Sequence, residues 1–468
     1  MRLAAVLVLA MVAIGPAGAG GEPYHEPNAV IINITEDDLN RMIRDLFHAN
    51  GASTIEGSKE QLSRGLSDFR YRADFSEPVL RLGEDGRAQL DLEILQAELT
   101  IGSIERKLLK RRMHCRNAGV TLDDEHPVDV TLDLHFAIEQ DDLQIVPEQV
   151  TLAGTKGFRL HKPERCNNNP LPEFLMWWIG KGRLRHKIDK LDDVLLKKAK
   201  DGAAALNEDD GFLARHWSFD PADLPGNHES VHLYPQSIDT SHHSLLIGLA
   251  GSSPDPVPST GIVPEWVAAR AARSFLGLSE SFLNFALATA FRELDGKPRE
   301  PSGGLRKLFR SDAVYALIPG LRGLDVRDAL QLGFTFHGPP VIDFTSTEED
   351  RAVIGIHLAD VEMTVWAADR WIGSVAVDAA TVSVAPYFNR LGGISFDIVE
   401  NDWQLSSRGI EFDEELLAAT FQEMFFGEVF ETRFEPVAED GFAVGDTRFN
   451  PRYFSLVGKH LVIGLTGL

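Results

Sequence analysis

Apolar residues recur at helical spacing in two distant stretches of the chain. In the second half, Leu276 to Gly296 carries Phe282, Leu283, Ala286, Leu287, Ala290 and Phe291 behind Ser279 and ends at a glycine. That pattern predicts an amphipathic helix capped by Ser279. Near the start, Thr35 to Phe47 carries the same pattern without a gap: Thr35 matches Ser279, Glu36 matches Glu280, Leu39 matches Leu283, Asn40 matches Asn284 and Phe47 matches Phe291. The first copy sets Leu39, Met42, Ile43, Leu46 and Phe47 on one face, and Asp38 stands three residues after the cap, where a capping box carries Glu.

Strand patterns follow each helix. After Phe75 to Pro78 and a Gly83–Gly86 turn, Arg87 to Ile101 alternates at Ala88, Leu90, Leu92 and Ile94, then slips one residue to Leu95, Ala97, Leu99 and Ile101. In the second half, Arg351 to Val365 alternates at Ala352, Ile354, Ile356 and Leu358, then slips to Val361, Met363 and Val365. A single slip within a long strand predicts a β-bulge or sharp bend, here at matching places in both copies. Val128 to Ile138 predicts another strand. Leu171 to Lys200 predicts a long helix with Phe174, Trp178, Ile188, Leu191 and Leu195 buried, and Phe412 to Phe430 a later one with Leu416, Leu417, Phe421, Met424 and Phe425. Both halves close on Leu-x-Ile-Gly-Leu-x-Gly, at Ser244–Gly251 and His460–Gly467. Between the copies lies a Pro/Ser stretch, Ser252 to Thr260. The division expected is residues 1–19 as a targeting segment, 20–251 as a first unit, 252–260 as a linker and 261–468 as a second unit.

The capped Gly-Leu-Ser-x-x-x-x-Asn helix that opens the second of two similar halves resembles the bactericidal/permeability-increasing and lipopolysaccharide-binding protein family, with its cholesteryl ester and phospholipid transfer relatives. The order helix, strands, helix, strands, given twice, is similar to that family over nearly the whole chain. The resemblance implies an α+β fold of two tandem tubular lipid-binding barrels, each a strongly curved antiparallel sheet wrapped around long helices in an elongated pseudo-two-fold body. It also implies non-enzymatic binding and transfer of phospholipid or another acyl lipid, with transient membrane-surface contact and no cofactor. Pocket-lining candidates are Leu39, Met42, Ile43, Leu46, Phe47, Phe174, Trp178, Phe282, Leu283, Leu287, Phe291, Phe421 and Phe425.

Charge adds one feature. The chain is strongly acidic, at −24, which argues against a nucleic-acid partner or a cationic antimicrobial. Within it, Arg106 to Arg116 holds Arg106, Lys107, Lys110, Arg111, Arg112 and Arg116, and a second basic run follows from Lys181. The resemblance makes Lys107, Lys110, Arg111, Arg112 and Arg116 headgroup-contact candidates; a solvated helix face and a loop beside a disulfide is the plainer alternative. Arg2 followed by an apolar run and Ala17-Gly18-Ala19 reads as a cleaved secretory signal, with no lipoprotein cysteine after it, so a secreted or periplasmic location is expected. In an exported chain, Cys115 and Cys166 read as one disulfide rather than a metal pair, and the family's first barrel commonly carries one.

Catalytic chemistry is sparse. His228-Glu229-Ser230-Val231-His232 matches HExxH, but Pro225-Gly226-Asn227 before it and Pro235 after it oppose a helix, and Val231 to Tyr234 reads as strand. No nucleophile elbow, P-loop, dinucleotide fingerprint or EF-hand loop occurs. Neither an enzyme nor a metal site is expected. Two alternatives stand beside lipid binding: a structural or adhesion module of the same fold with filled barrels, and a zinc hydrolase using the His228 region. Asn33-Ile34-Thr35 is also a glycosylation sequon.

Overall fold

The structure, a computed structural model, describes residues 24–161, 165–167, 191–207, 217–219, 231–253, 264–285, 330–344, 352–409 and 442–467, with short breaks, together with residues 315, 318 and 319. Within this set the fold is α+β and rich in antiparallel sheet. Both opening helices form where the sequence places them, at Glu36–Ala49 and from residue 280 onward.

The cap of the first helix differs from the expected box. Thr35 Oγ1 accepts the Asp38 N–H at 3.3 Å, but the Asp38 carboxylate takes the Thr35 hydroxyl rather than its amide. The Thr35 amide goes instead to Ser274 Oγ at 3.0 Å, and Ser274 Oγ also donates to Asp38. A residue of the second half thus completes the cap of the first.

A central eight-stranded sheet carries strands of both halves. The opening strand Tyr24–Thr35 pairs on one side with the closing strand Ser244–Ser253, and on the other with Phe275–Ser279, which opens the second half. Phe275–Ser279 in turn pairs with the last strand, His460–Gly467. Ile32 lies opposite Leu276, and these two positions are equivalent in the helix alignment, so the pseudo-two-fold axis passes through that pair. The strand Ser244–Ser253 runs two residues beyond the predicted closing motif, with Ser252 and Ser253 paired with His25 and Tyr24; residues 254–260 of the expected linker lie outside the described residues. One core runs through the seam, joining Val30, Ile34, Leu39 and Met42 to Leu276, Phe282, Leu283, Ile354 and Ile463. The opposite face of this sheet is covered by the segment around Glu265–Ala268, through Val267 and Trp266 against Ile31 and Phe275. Asn33 lies fully buried under that cover and donates to the carbonyls of Ala271 and Arg273, so the sequon offers no accessible acceptor in the folded chain.

His460 also crosses the seam, with Nε2–H donating to the Asn28 carbonyl at 3.2 Å beside the Trp266 ring. Burial pushes its pKa below the ordinary 6.5, opposed by the Asn28 bond. As pH falls below about 6.5, the unfolded chain binds a proton that the folded chain resists, so stability is lost until the folded imidazole titrates. Urea denaturation at pH 7.5 and pH 5.5 is expected to show this loss in the native chain and a smaller one in His460→Gln.

Each half adds a second sheet. In the first, the 22-residue strand Arg87–Leu108 is the spine. Its first part, against the central core, pairs with Val79–Leu82 and Val128–Glu139, and its later part with Leu66–Phe75 and Arg111–Leu122. The phase slip is a β-bulge: Phe75 faces Ile94 and Asp74 faces Gln96, leaving Leu95 as the extra residue. The bulge keeps Ala97, Leu99 and Ile101 on the face already held by Ala88 through Ile94. In the second half the spine is Ile354–Ala367, and its slip falls at Asp360, which takes the left-handed conformation (φ 54°). Here one strand, Arg370–Phe388, runs along the whole spine, where the first half uses two. Among the described residues, neither sheet closes on itself.

The helix expected at Leu171–Lys200 is described from Leu191 to Asn207, seven residues past the expected end. Leu195 and Leu196 pack it on the first half's sheet. The helix continues because Ala203 to Leu206 are good formers that outweigh one interior glycine, Gly202. Residues 168–190 and the later helix expected at Phe412–Phe430 lie outside the described residues.

Candidate functional site

The site must be built from the apolar face of each second sheet and the helix laid against it. The register of helix on sheet is fixed by one device used twice. Asn40 Nδ2 donates to the Leu80 carbonyl at 2.9 Å, and Asn40 Oδ1 accepts the Leu80 N–H at 2.6 Å. In the second half, Asn284 Nδ2 donates to the Ile342 carbonyl at 2.8 Å and Oδ1 accepts the Ile342 N–H. Glu36 accepts the Leu82 N–H at 2.7 Å, and Glu280 accepts the Phe344 N–H at 3.1 Å. An amide side chain supplies both a donor and an acceptor, so it satisfies the outward N–H and C=O of one residue of an edge strand. His243 and Lys459 are likewise matched: each presents its carbonyl to the first helical amide and its side chain to the Glu. The alignment of the two halves makes Asn40 and Asn284 equivalent; it carries no sign of this role.

The candidate lining residues separate by burial. Leu39, Met42, Phe282 and Leu283 are core residues, with Phe282 and Leu283 at 1% exposure. Ile43 and Phe47 are half-buried further along the first helix. Leu46 lies in that helix, but its side-chain surroundings are outside the description, as are Phe174, Trp178, Leu287, Phe291, Phe421 and Phe425 altogether.

The two sheet faces differ. In the second half all six stripe residues of the spine, Ile354, Ile356, Leu358, Val361, Met363 and Val365, are buried, none above 8% exposure. In the first half Ala88, Ile94 and Ile101 are buried, but Leu90, Leu92, Ala97 and Leu99 between them are only half-buried. Leu132, Leu134 and Ile145 on the neighbouring strands are half-buried as well. A 22-residue strand spans roughly 70 Å, whereas the 14-residue opening helix spans about 21 Å and the 17-residue helix Leu191–Asn207 about 26 Å.

Arg106, Lys107, Arg111, Arg112 and Arg116 of the first basic run lie on strands, whereas residues 181–190 of the second run lie outside the described residues. Arg87–Leu108 and Arg111–Leu122 pair antiparallel up to Lys107 opposite Arg112 and Leu108 opposite Arg111. Placing cations directly across a strand pair is destabilising unless an anion offsets them. Arg116 is exposed further down the hairpin; the side chains of Lys107, Arg111 and Arg112, and all of Lys110, are outside the description. Cys115 sits on the same strand directly opposite Cys166 of Arg165–Asn167. Facing positions of an antiparallel pair are about 4.5–5.5 Å apart at Cα, within the span of a disulfide.

No family model and no curated protein matches the chain. Among solved structures it is similar to a crystal structure of lipopolysaccharide binding protein, at 12% identity over 94% of this chain and 98% of that one, with a TM-score of 0.42. It is also similar to P47 from Clostridium botulinum A2, at 9% identity over 93% and 96%, with a TM-score of 0.26. The chain resembles the lipopolysaccharide-binding protein family. The Ser279 helix motif resembles the same family.

Other candidate chemistry does not assemble. His232 of the HExxH match lies in the strand Val231–Asp239, paired with Ser218 and Ser252, and not on a helix; His228 lies outside the described residues. Among the described residues, no group of three or more His, Cys, Asp or Glu is arranged to hold a metal. A 120 Å³ cavity lies between the strand Ser244–Ser253 and the Glu265–Ala268 turn, lined by Asp239, Leu246, Glu265 and Val267. That is well below the roughly 300 Å³ at which ligand pockets begin. Among the described residues no helix is long and apolar enough to cross a membrane.

Proposed function

We propose that the chain is an exported, non-enzymatic carrier that holds one phospholipid or other acyl lipid in its first half. The observation that carries this reading is the half-buried apolar stripe on the first sheet beside the fully buried one on the second. Leu90, Leu92, Ala97 and Leu99 share the inner face of the spine and stay half-buried beside the described helices. An acyl chain gains about 0.8 kcal/mol per methylene on leaving water, nearly the same as in a bilayer, so exchange between the two is close to neutral. In this reading the two sheets are the walls of two tubular barrels, the first open to lipid and the second filled by its own side chains. Ile43 and Phe47 line the mouth of the open one, and the Cys115–Cys166 disulfide braces its hairpin.

Native mass spectrometry of freshly purified protein, followed by organic extraction, tests the proposal. One lipid per chain is expected. Two per chain would refute the filled second half, and none, together with no uptake from vesicles, would leave the structural-module reading. The basic hairpin end is proposed to meet the headgroup phosphate. The Arg111→Glu/Arg112→Glu variant is expected to bind vesicles containing phosphatidylglycerol at least about thirtyfold more weakly, with a reduced salt dependence, since each cation near an anionic surface contributes about 1 kcal/mol.

A further inference from the structure

The hairpin that ends in cations in the first half ends in tryptophans in the second. The spine Ile354–Ala367 turns into Arg370–Phe388 with Trp366 directly opposite Trp371 and Ala367 opposite Arg370. Trp371 is 41% exposed. Its ring lies over Gly409, which is in the left-handed conformation (φ 81°); a Cβ there would meet Trp371 Cη2 at 2.7 Å. Trp366 is half-buried and its Nε1–H donates to Thr364 Oγ1 at 3.2 Å, while Arg370 beside the turn is exposed. An indole held on one face and open on the other loses little conformational freedom when its open face is buried. A flat apolar ring with a polar N–H, next to an arginine, suits the boundary of a bilayer, where the ring meets the ester region and the guanidinium meets phosphate.

From this placement we propose that the Trp366–Trp371 hairpin end is a docking point for a zwitterionic bilayer surface, seated by Gly409. The choice of a bilayer as the occupant rests on the lipid-carrier reading. The two hairpin ends then suit different surfaces, since cations meet anionic headgroups in the first half and indole inserts into neutral membrane in the second. The acidity of the whole chain favours this, because a neutral surface does not repel a protein at −24.

The test uses the full chain and vesicles of phosphatidylcholine alone. Co-flotation of Trp371→Ser is expected to fall about tenfold, and Gly409→Ala, which displaces the ring, is expected to fall in the same direction. With dibrominated phosphatidylcholine, tryptophan quenching in the wild type is expected to be largely lost in Trp371→Phe, the variant least able to disturb folding. Unchanged flotation of Trp371→Ser, undiminished quenching in Trp371→Phe, or a wild-type chain that ignores these vesicles would overturn the proposal. The lipid content of each variant by native mass spectrometry separates the two readings. Wild-type lipid content with lost flotation supports the docking point; no lipid in any chain with Trp371-dependent quenching defeats the carrier reading and leaves the docking point standing.

Discussion

Replacing Asn284 with alanine is expected to lower the unfolding free energy by about 3 kcal/mol. The side chain makes two bonds to one residue of the strand Val341–Phe344, and its loss leaves the Ile342 N–H and carbonyl without partners in a part-buried setting. Each such loss costs roughly 1–2 kcal/mol, and the alanine is too short to admit a well-placed replacement. Asn284→Asp keeps the acceptor and loses the donor, so it should fall between the two. Asn40→Ala should behave alike, because Leu80 is held in the same way. Urea unfolding of the four proteins measures this, and an alanine variant within about 0.5 kcal/mol of wild type would show that the clamp only decorates the joint.

Removing the proposed disulfide is expected to cost about 4 kcal/mol, the loop-closure value for a cross-link enclosing roughly fifty residues. Cys115→Ser, Cys166→Ser and the wild type kept in reductant should share one lowered thermal midpoint. Thiol titration under denaturing, non-reducing conditions should find no free thiol in the wild type. Free thiol in the wild type, or a midpoint insensitive to reductant, would remove the brace from the account. The loss should be felt first at the basic hairpin, since Arg165–Asn167 is tied to the same strand as Arg111 and Arg112.

Much of the plan is legible in local pattern. Ser279 and Thr35 cap helices, Gly83 to Gly86 turns the chain, and the apolar slip at Leu95 is a bulge, because these features are written within a few residues of where they act. The central sheet is not legible in this way. Val30 to Ile34 and Phe275 to Leu278 are short apolar runs that announce burial but not a partner, and their pairing spans more than half the chain. The basic hairpin escapes notice because charges interrupt the alternation in Arg106 to Arg116, so no period of two survives to mark strands. The difference between the two sheet faces is also beyond reach: both spines carry the same stripe, and only packing from elsewhere decides that Ile356 is covered and Leu92 is half open.

The axis through Ile32 and Leu276 relates the two halves as the protomers of an isologous dimer are related, but in one chain the two sides of the joint are free to differ. In an isologous dimer every substitution at the interface appears twice, so a polar group that helps one side must be accommodated on the other. Here Asp38, which binds Ser274, has Phe282 as its counterpart, and the buried Asn33 has Gly277 as its counterpart. One flank of the joint became a hydrogen-bonded latch while the other became packed hydrocarbon. A symmetric dimer could not hold both, and the same freedom would let one half stay open while the other filled.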